Sequence, residues 1–159
     1  MATVSRTKLQ NFIDGEFVDA AEGATEEVTN PATGEVTGQV ALASIEDARA
    51  VIDAAVAAFP AWRDKSFSER AALIKKMSQR LREEQQELAE LLTREQGKPL
   101  GQSVAEIDRG AAQSDGMVGI EIPVEVLADD KDKHIELRYR PLGVVGIITP
   151  WNAPVNLAL

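Results

Sequence analysis

Pro141-Leu142-Gly143-Val144-Val145-Gly146-Ile147-Ile148-Thr149-Pro150-Trp151-Asn152 is the stretch whose reading decides the fold. A turn residue opens it, Val and Ile form a short apolar block, and Thr149-Pro150 stops the block before Trp151 and Asn152. An apolar run this short, bounded by Gly and Pro, predicts a strand over residues 144–148 buried on both faces. In open α/β sheets the crevice beyond the carboxyl end of such a strand is where ligands bind. An Asn at that exit carries an amide that can donate a hydrogen bond to developing negative charge. The residues upstream read as support for that strand and its exit loop.

At 159 residues the chain is long enough for one domain, which at this size buries roughly 70% of its unfolded surface. Its formal charge of −9, from 17 basic and 26 acidic residues, disfavours nucleic acid as a partner. With no cysteine, disulfides, thiolate metal ligands and a cysteine nucleophile are excluded within these residues. The one histidine, His134, leaves no histidine cluster, and no metal site is read from the sequence. No apolar stretch approaches the ~20 residues that span a bilayer, and the N-terminus lacks an apolar signal core. The expectation is a cytoplasmic protein without a membrane partner.

Asp14-Gly15, between Asn11-Phe12-Ile13 and Glu16-Phe17-Val18, predicts a two-residue hairpin, because both turn positions favour positive φ. A second turn, Asn30-Pro31-Ala32-Thr33-Gly34, joins Val28-Thr29 to Val36-Thr37, so the N-terminal segment reads as antiparallel ribbon. Ser44 with Asp47, and Ser66 with Glu69, have the capping-box spacing that opens helices. The first helix carries an apolar stripe of Ala48, Val51, Ile52, Ala55, Val56 and Phe59 and is expected to end at Pro60. The second places Leu73, Ile74, Met77, Leu81, Leu88, Leu91 and Leu92 on its buried face, with a break hidden in the polar run 82–87. Gly97, followed by Lys98-Pro99, terminates it. A further helix is expected over roughly residues 100–118, with Val104, Ile107, Ala111 and Ala112 inward.

Residues 120–132 read as a loop. From His134 the pattern alternates, with Ile135, Leu137 and Tyr139 on one face and Glu136, Arg138 and Arg140 on the other, which predicts a half-exposed strand. Beyond Asn152, Pro154 and Val155-Asn156-Leu157-Ala158-Leu159 read as a helix beginning. A chain ending where a helix starts reads as a cut one.

Taken together these phrases resemble the N-terminal part of the aldehyde dehydrogenase superfamily. The matching stretches are Asn11-Phe12-Ile13-Asp14-Gly15-Glu16-Phe17, Asn30-Pro31-Ala32-Thr33-Gly34-Glu35, Glu95-Gln96-Gly97-Lys98-Pro99 and the opening Pro141 to Asn152 phrase. The resemblance implies an α/β fold, the N-terminal part of a Rossmann-like coenzyme-binding domain with antiparallel hairpins, helices and a strand of the oligomerisation arm. Residues 1–132 would be hairpins and helices of that domain, 133–141 the arm strand, and 142–159 its first parallel strand and Pro-Trp-Asn loop. It implies NAD or NADP as cofactor, with Ile148, Thr149, Pro150 and Trp151 lining the nicotinamide side and Asn152 helping to form the oxyanion hole. An aldehyde would be the substrate, and homo-oligomerisation would run through residues 135–139. The family's nucleophilic cysteine and glutamate base have no counterpart in these residues, so the chain alone is expected to be inactive and to bind NAD weakly or not at all.

Read without the family, Asn152 is a turn or cap residue, Trp151 a packing residue, and Gly143 and Gly146 marks of close packing. Glu95 and Lys98 read as part of a helix terminator, Glu106 and Asp108 as residues projecting to different faces, and His134 as solvated surface. Two functions follow: a portion of a catalytic dehydrogenase, or a short non-catalytic module that pairs with a full-length relative through residues 135–139.

Overall fold

The structure, a computed structural model, describes residues 7–159. The reading of the extreme N-terminus as lacking a signal core falls partly on residues 1–6, outside the described residues.

The first hairpin pairs β2 (Asn11–Ile13) with β3 (Glu16–Val18) in antiparallel register, Ile13 opposite Glu16. Asp14 at φ 52° and Gly15 at φ 83° make its turn, the left-handed pair that suits the twist of the flanking strands. Phe12 and Phe17 face one another with ring centroids 5.0 Å apart. The second hairpin pairs β4 (Thr25–Thr29) with β5 (Val36–Ala41). Its turn is held by Asn30, whose Oδ1 accepts the Ala32 N–H at 2.9 Å and whose carbonyl accepts the Gly34 N–H at 2.7 Å.

The purely antiparallel ribbon expected here needs correcting. A short strand, β1 (Thr7–Leu9), lies parallel to β5 and completes a mixed sheet in the order β1-β5-β4. Three residues carry too little pattern to announce a strand, and the open edge of β5 is what recruits them.

Four helices follow. In α1 (Ile45–Arg63) the Ser44 Oγ accepts the Asp47 N–H at 3.2 Å and the Asp47 carboxylate accepts the Ser44 N–H at 2.8 Å, closing the expected capping box. Asp47 also accepts the Ala21 N–H at 3.0 Å, which ties the first hairpin's tail to the helix. Pro60 does not end α1, which runs to Arg63. A proline near a helix end removes only its own donor and crowds one carbonyl, and here the Pro60 carbonyl still accepts the Asp64 N–H at 3.0 Å. The same box, Ser66 with Glu69, opens α2 (Phe67–Glu83). The suspected break falls at Glu84, where φ −99° and ψ 8° turn the chain into α3 (Gln85–Gln96). Gly97 ends α3 in the left-handed conformation, φ 74°.

α4 (Leu100–Met117) is the spine of the core. Its buried face is Ser103, Glu106, Ile107, Gly110, Ala111 and Ser114, positions spaced as one helical stripe. Ala112, expected inward, is exposed, while Glu106, read only as projecting to a different face from Asp108, lies inside. Ala89 and Leu92 of α3 and Ser78 of α2 are buried too. Small side chains along these faces bring the helices close. The hydroxyls are absorbed locally: Ser114 donates to the Gly110 carbonyl at 3.0 Å, and Thr93 and Ser103 share a hydrogen bond of 2.9 Å.

Where residues 120–132 were expected to form a loop, β6 (Glu125–Asp129) pairs antiparallel with β7 (His134–Leu137), a bulge interrupting the register between Val126 and Ala128. Ile135 and Leu137 are both exposed. Residues 144–148, expected to be a strand buried on both faces, join no ladder among the described strands, and Ile148 is 99% exposed. A doubly buried parallel strand needs neighbours on both edges and layers on both faces, and no described strand runs beside these residues. The stripe of α1 suffers correspondingly: Val51, Ile52 and Val56 stay exposed along an open groove whose far wall is Val144, Val145 and Gly146. The last element, α5 (Pro154–Ala158), begins with Pro154 in its first turn, as expected.

Candidate functional site

Three of the sequence phrases, distant along the chain, meet at one place. The Asn30 turn brings Pro31 against the end of α3, where a Cβ on Gly97 would lie 2.8 Å from Pro31 Cγ. Gly97 is therefore required twice, for its positive φ and for its lack of a side chain. After it, Pro99 starts α4 by accepting the Gln102 and Ser103 N–H groups at 2.8 and 3.1 Å. Trp151 and Asn152 close the third side. Together Pro31, Gly97, Lys98, Trp151 and Asn152 line an open cleft of about 730 Å³. A smaller recess of about 290 Å³ adjoins it, lined by Lys98, Gln102, Arg109 and Asn152 among others. Both are formed by helix ends and a loop, not by the carboxyl end of a sheet as the sequence reading expects.

Asn152 is exposed at the meeting point of the two recesses. Trp151 is 84% exposed, and Ile148 stands fully in the open beside half-buried Thr149 and exposed Pro150. The segment 148–151 thus presents a largely apolar ledge leading to the Asn152 amide.

Lys98 reaches across the cleft floor. Its Nζ donates to the Glu106 carboxylate and, at 2.9 Å, to the Asn152 backbone carbonyl. Glu106 uses its second oxygen to accept the Val155 N–H at 3.0 Å. The side chains are 14% and 1% exposed respectively, which makes this a desolvated pair. The sequence reading passed over both residues, treating Lys98 as part of a helix terminator and Glu106 as half of a poor carboxylate pair. One signal was available: Glu106 shares the i, i+4, i+8 stripe with Gly110 and Ser114, a strange place for a charge unless something pairs with it.

Other charged residues lie outside the site. The Asp115 carboxylate sits below its usual range because the Ser78 hydroxyl and the Arg82 guanidinium both donate to it. The His134 imidazole sits above its usual range through hydrogen bonds to Glu136 and then Asp129. No group of His, Cys, Asp and Glu side chains able to hold a metal ion exists among the described residues. No described helix is long and apolar enough to cross a membrane.

Helices, antiparallel hairpins and one small mixed sheet make this a mixed α/β chain. The aldehyde dehydrogenase family matches residues 17–159, and the chain belongs to that family. It is 40% identical to a glutarate-semialdehyde dehydrogenase of Pseudomonas putida over 155 residues, 93% of this chain and 32% of that protein. It is 38% identical to the NADP(+) succinate-semialdehyde dehydrogenase of Escherichia coli, again over 93% of this chain and 31% of that protein. Among solved structures, an E. coli NADP-dependent enzyme superposes with a TM-score of 0.90 at 37% identity, over 95% of this chain and 32% of the other. The chain thus spans about a third of the length of the curated relatives it matches.

Proposed function

We propose that the chain forms the N-terminal part of the coenzyme-binding domain of an NAD(P)+-dependent aldehyde dehydrogenase and supplies the oxyanion donor of that enzyme through Asn152. In this reading residues 1–132 and 142–159 belong to the coenzyme domain, and residues 133–141 to an oligomerisation arm. One observation carries the reading: the Asn30, Gly97 and Trp151 turns converge on a single cleft, and the residue they present at its edge is Asn152.

The chemistry assigned to these residues is limited and specific. An aldehyde under nucleophilic attack develops negative charge on its oxygen, and a fixed amide N–H aimed there stabilises the transition state more than the ground state. Asn152 fills that role. The exposed Ile148 and Trp151 side chains and the Thr149-Pro150 backbone suit the flat, partly apolar face of a nicotinamide, and they would hold it. When bound, NAD or NADP supplies the hydride acceptor. The chain contains no cysteine, so the covalent route belongs to other residues of the enzyme, and these residues alone oxidise no aldehyde. With one wall of the crevice present, they bind NAD weakly or not at all.

The relatives named for glutarate, succinate and malonate semialdehydes suggest an aldehyde with an anionic group at its far end. Arg109 lines the recess that also holds Asn152, which puts a cation near the aldehyde's expected position. The exposed Ile135, Leu137 and Tyr139 support assembly through residues 135–139, either with a second copy or, in the alternative reading, with a full-length relative.

The deciding experiment is kinetic and uses the enzyme that contains this segment. Asn152→Ala lowers kcat for aldehyde oxidation by roughly 10²–10³ and leaves cofactor binding intact. Arg109→Ala raises KM for a carboxylated aldehyde but not for its uncharged analogue. An Asn152→Ala enzyme within threefold of wild type would refute the reading.

A further inference from the structure

We propose that Lys98 and Glu106 are positioning residues for Asn152: a buried ion pair that grips the backbone on both sides of the Ala153-Pro154 step and so sets where the Asn152 amide points. The proposal rests on the reading of Asn152 as the oxyanion donor and deepens it.

Two grips carry the proposal. Lys98 Nζ donates to the Asn152 carbonyl at 2.9 Å, and Glu106 Oε1 accepts the Val155 N–H at 3.0 Å. The other carboxylate oxygen is engaged by Lys98 itself. The pair therefore acts as one unit, a donor aimed at residue 152 and an acceptor aimed at residue 155. Between them lie Ala153 and Pro154, and Pro154 has no N–H with which to be held. Without the pair, the Asn152 carbonyl loses its hydrogen bond to the α3–α4 connection and the first turn of α5 loses its hydrogen bond to α4.

One turn along α4, Gly110 completes the seat. A Cβ there would fall 2.8 Å from Leu159 Cδ1 and 3.7 Å from Asn156 Cα. α4 thus offers a carboxylate at 106 and a bare backbone at 110, both facing residues 155–159. This is the geometry of a seat shaped for one loop conformation.

A charged pair is a poor choice if stability were the sole role. Removing two charges from water costs several kcal/mol that their attraction only partly recovers, and apolar pairs of similar volume often do as well or better. The rest of the buried face of α4 is Ser103, Ile107, Gly110, Ala111 and Ser114, without charge. What an apolar pair cannot supply is direction. Hydrogen bonds to one carbonyl and one N–H fix the rotation of the loop about the α4 face, and an oxyanion donor displaced by about 1 Å can lose on the order of 10²-fold in rate.

The test replaces the charges without opening a hole. In the Lys98→Met/Glu106→Met chain, the packing between α3 and α4 is retained and both grips are gone. Uniform 15N and 13C labelling reports the backbone amides and carbonyls, and a second sample labelled only at asparagine isolates four residues, Asn11, Asn30, Asn152 and Asn156. The expected result is a far-UV CD spectrum and slow amide exchange at Ile107 and Ala111 as in wild type. Against that background the Asn152 carbonyl resonance shifts and the Val155 amide exchanges at least tenfold faster. Lys98→Arg, which keeps Glu106 and a cationic donor, retains most of the Val155 protection and most of the wild-type Asn152 carbonyl shift. Unchanged Asn152 and Val155 signals in the double variant overturn the proposal.

A kinetic arm in the enzyme containing this segment separates the two readings. The double variant is expected to lower kcat at least tenfold with KM for cofactor unchanged. If Asn152→Ala is slow and the double variant is not, the positioning role fails and the oxyanion reading survives. If both are silent in kcat, the oxyanion reading fails and the positioning role falls with it, whatever the exchange data say.

Discussion

Glu106→Gln changes few atoms and should nevertheless be among the most damaging substitutions in the described residues. The Glu106 side chain is 1% exposed, and its two oxygens have separate duties toward Lys98 and Val155. Glutamine offers one acceptor oxygen and an NH2 group. It can satisfy the ammonium or the Val155 N–H but not both, and the NH2 must then face a donor. Lys98 is left charged and desolvated, with the Asn152 carbonyl as its remaining partner. Breaking a buried pair on one side typically costs ~3–5 kcal/mol. Lys98 keeps 14% of its side chain in solvent and can swing outward, so the lower end, about 3 kcal/mol, is expected. For a chain of this length that corresponds to a fall in Tm of roughly 6–12 °C. Thermal melts followed by CD, with urea titrations as a second measure, read it directly. The Lys98→Met/Glu106→Met chain should lie within about 1.5 kcal/mol of wild type, because no charge is left stranded. A Glu106→Gln chain losing less than ~1 kcal/mol would refute the assignment of this pair as desolvated and mutually dependent.

Gly97→Ala forces a side chain onto a residue at φ 74° and drives its Cβ to 2.8 Å from Pro31 Cγ. A loss of ~1–3 kcal/mol is expected, with the Asn30 turn's resonances moving along with those of Lys98; an unshifted Ala32 amide would count against the contact. On the acid side, Asp47 titrates below its ordinary value through the Ser44 and Ala21 N–H donors. A carboxylate depressed in the folded state stabilises above its unfolded pKa of 3.8 and loses that contribution as pH falls through the folded value. The Ala21 amide should therefore become labile in that acid window, and Asp47→Asn should remove the dependence. His134 has the opposite sign. Its pKa is raised above 6.5 by Glu136 and Asp129, so its contribution to the β6–β7 hairpin is complete below 6.5 and is lost as pH rises through the folded value. An NMR titration midpoint at or below 6.5 would overturn that.

Much of the local architecture was legible before any coordinates. Asp14-Gly15, the Ser44–Asp47 and Ser66–Glu69 boxes, and Gly97 all behave as their residue types require. Each is decided within a few residues by steric limits on φ or by a hydrogen bond spanning three positions. The misread strands share a different cause. β1 forms because β5 offers it an edge, and β6 forms because β7 does. Residues 144–148 form no ladder because no described strand is beside them. Strand formation is a property of pairs, and a single run of residues reports only half of one.

The candidate site divides along the same line. Sequence alone picked out Trp151 and Asn152, since a Pro-Trp-Asn loop after an apolar run is a local pattern and its resemblance to a family needs no folding. Only the tertiary structure brought Pro31, Gly97 and Asn152 to one cleft and turned Lys98 and Glu106 into a pair that holds it. Local chemistry is written in neighbouring residues. A salt bridge that reaches from residue 98 to residue 106 and on to residues 152 and 155 depends on how α3, α4 and α5 are packed. That packing follows from the burial of surfaces far apart in the chain, which no window of sequence contains.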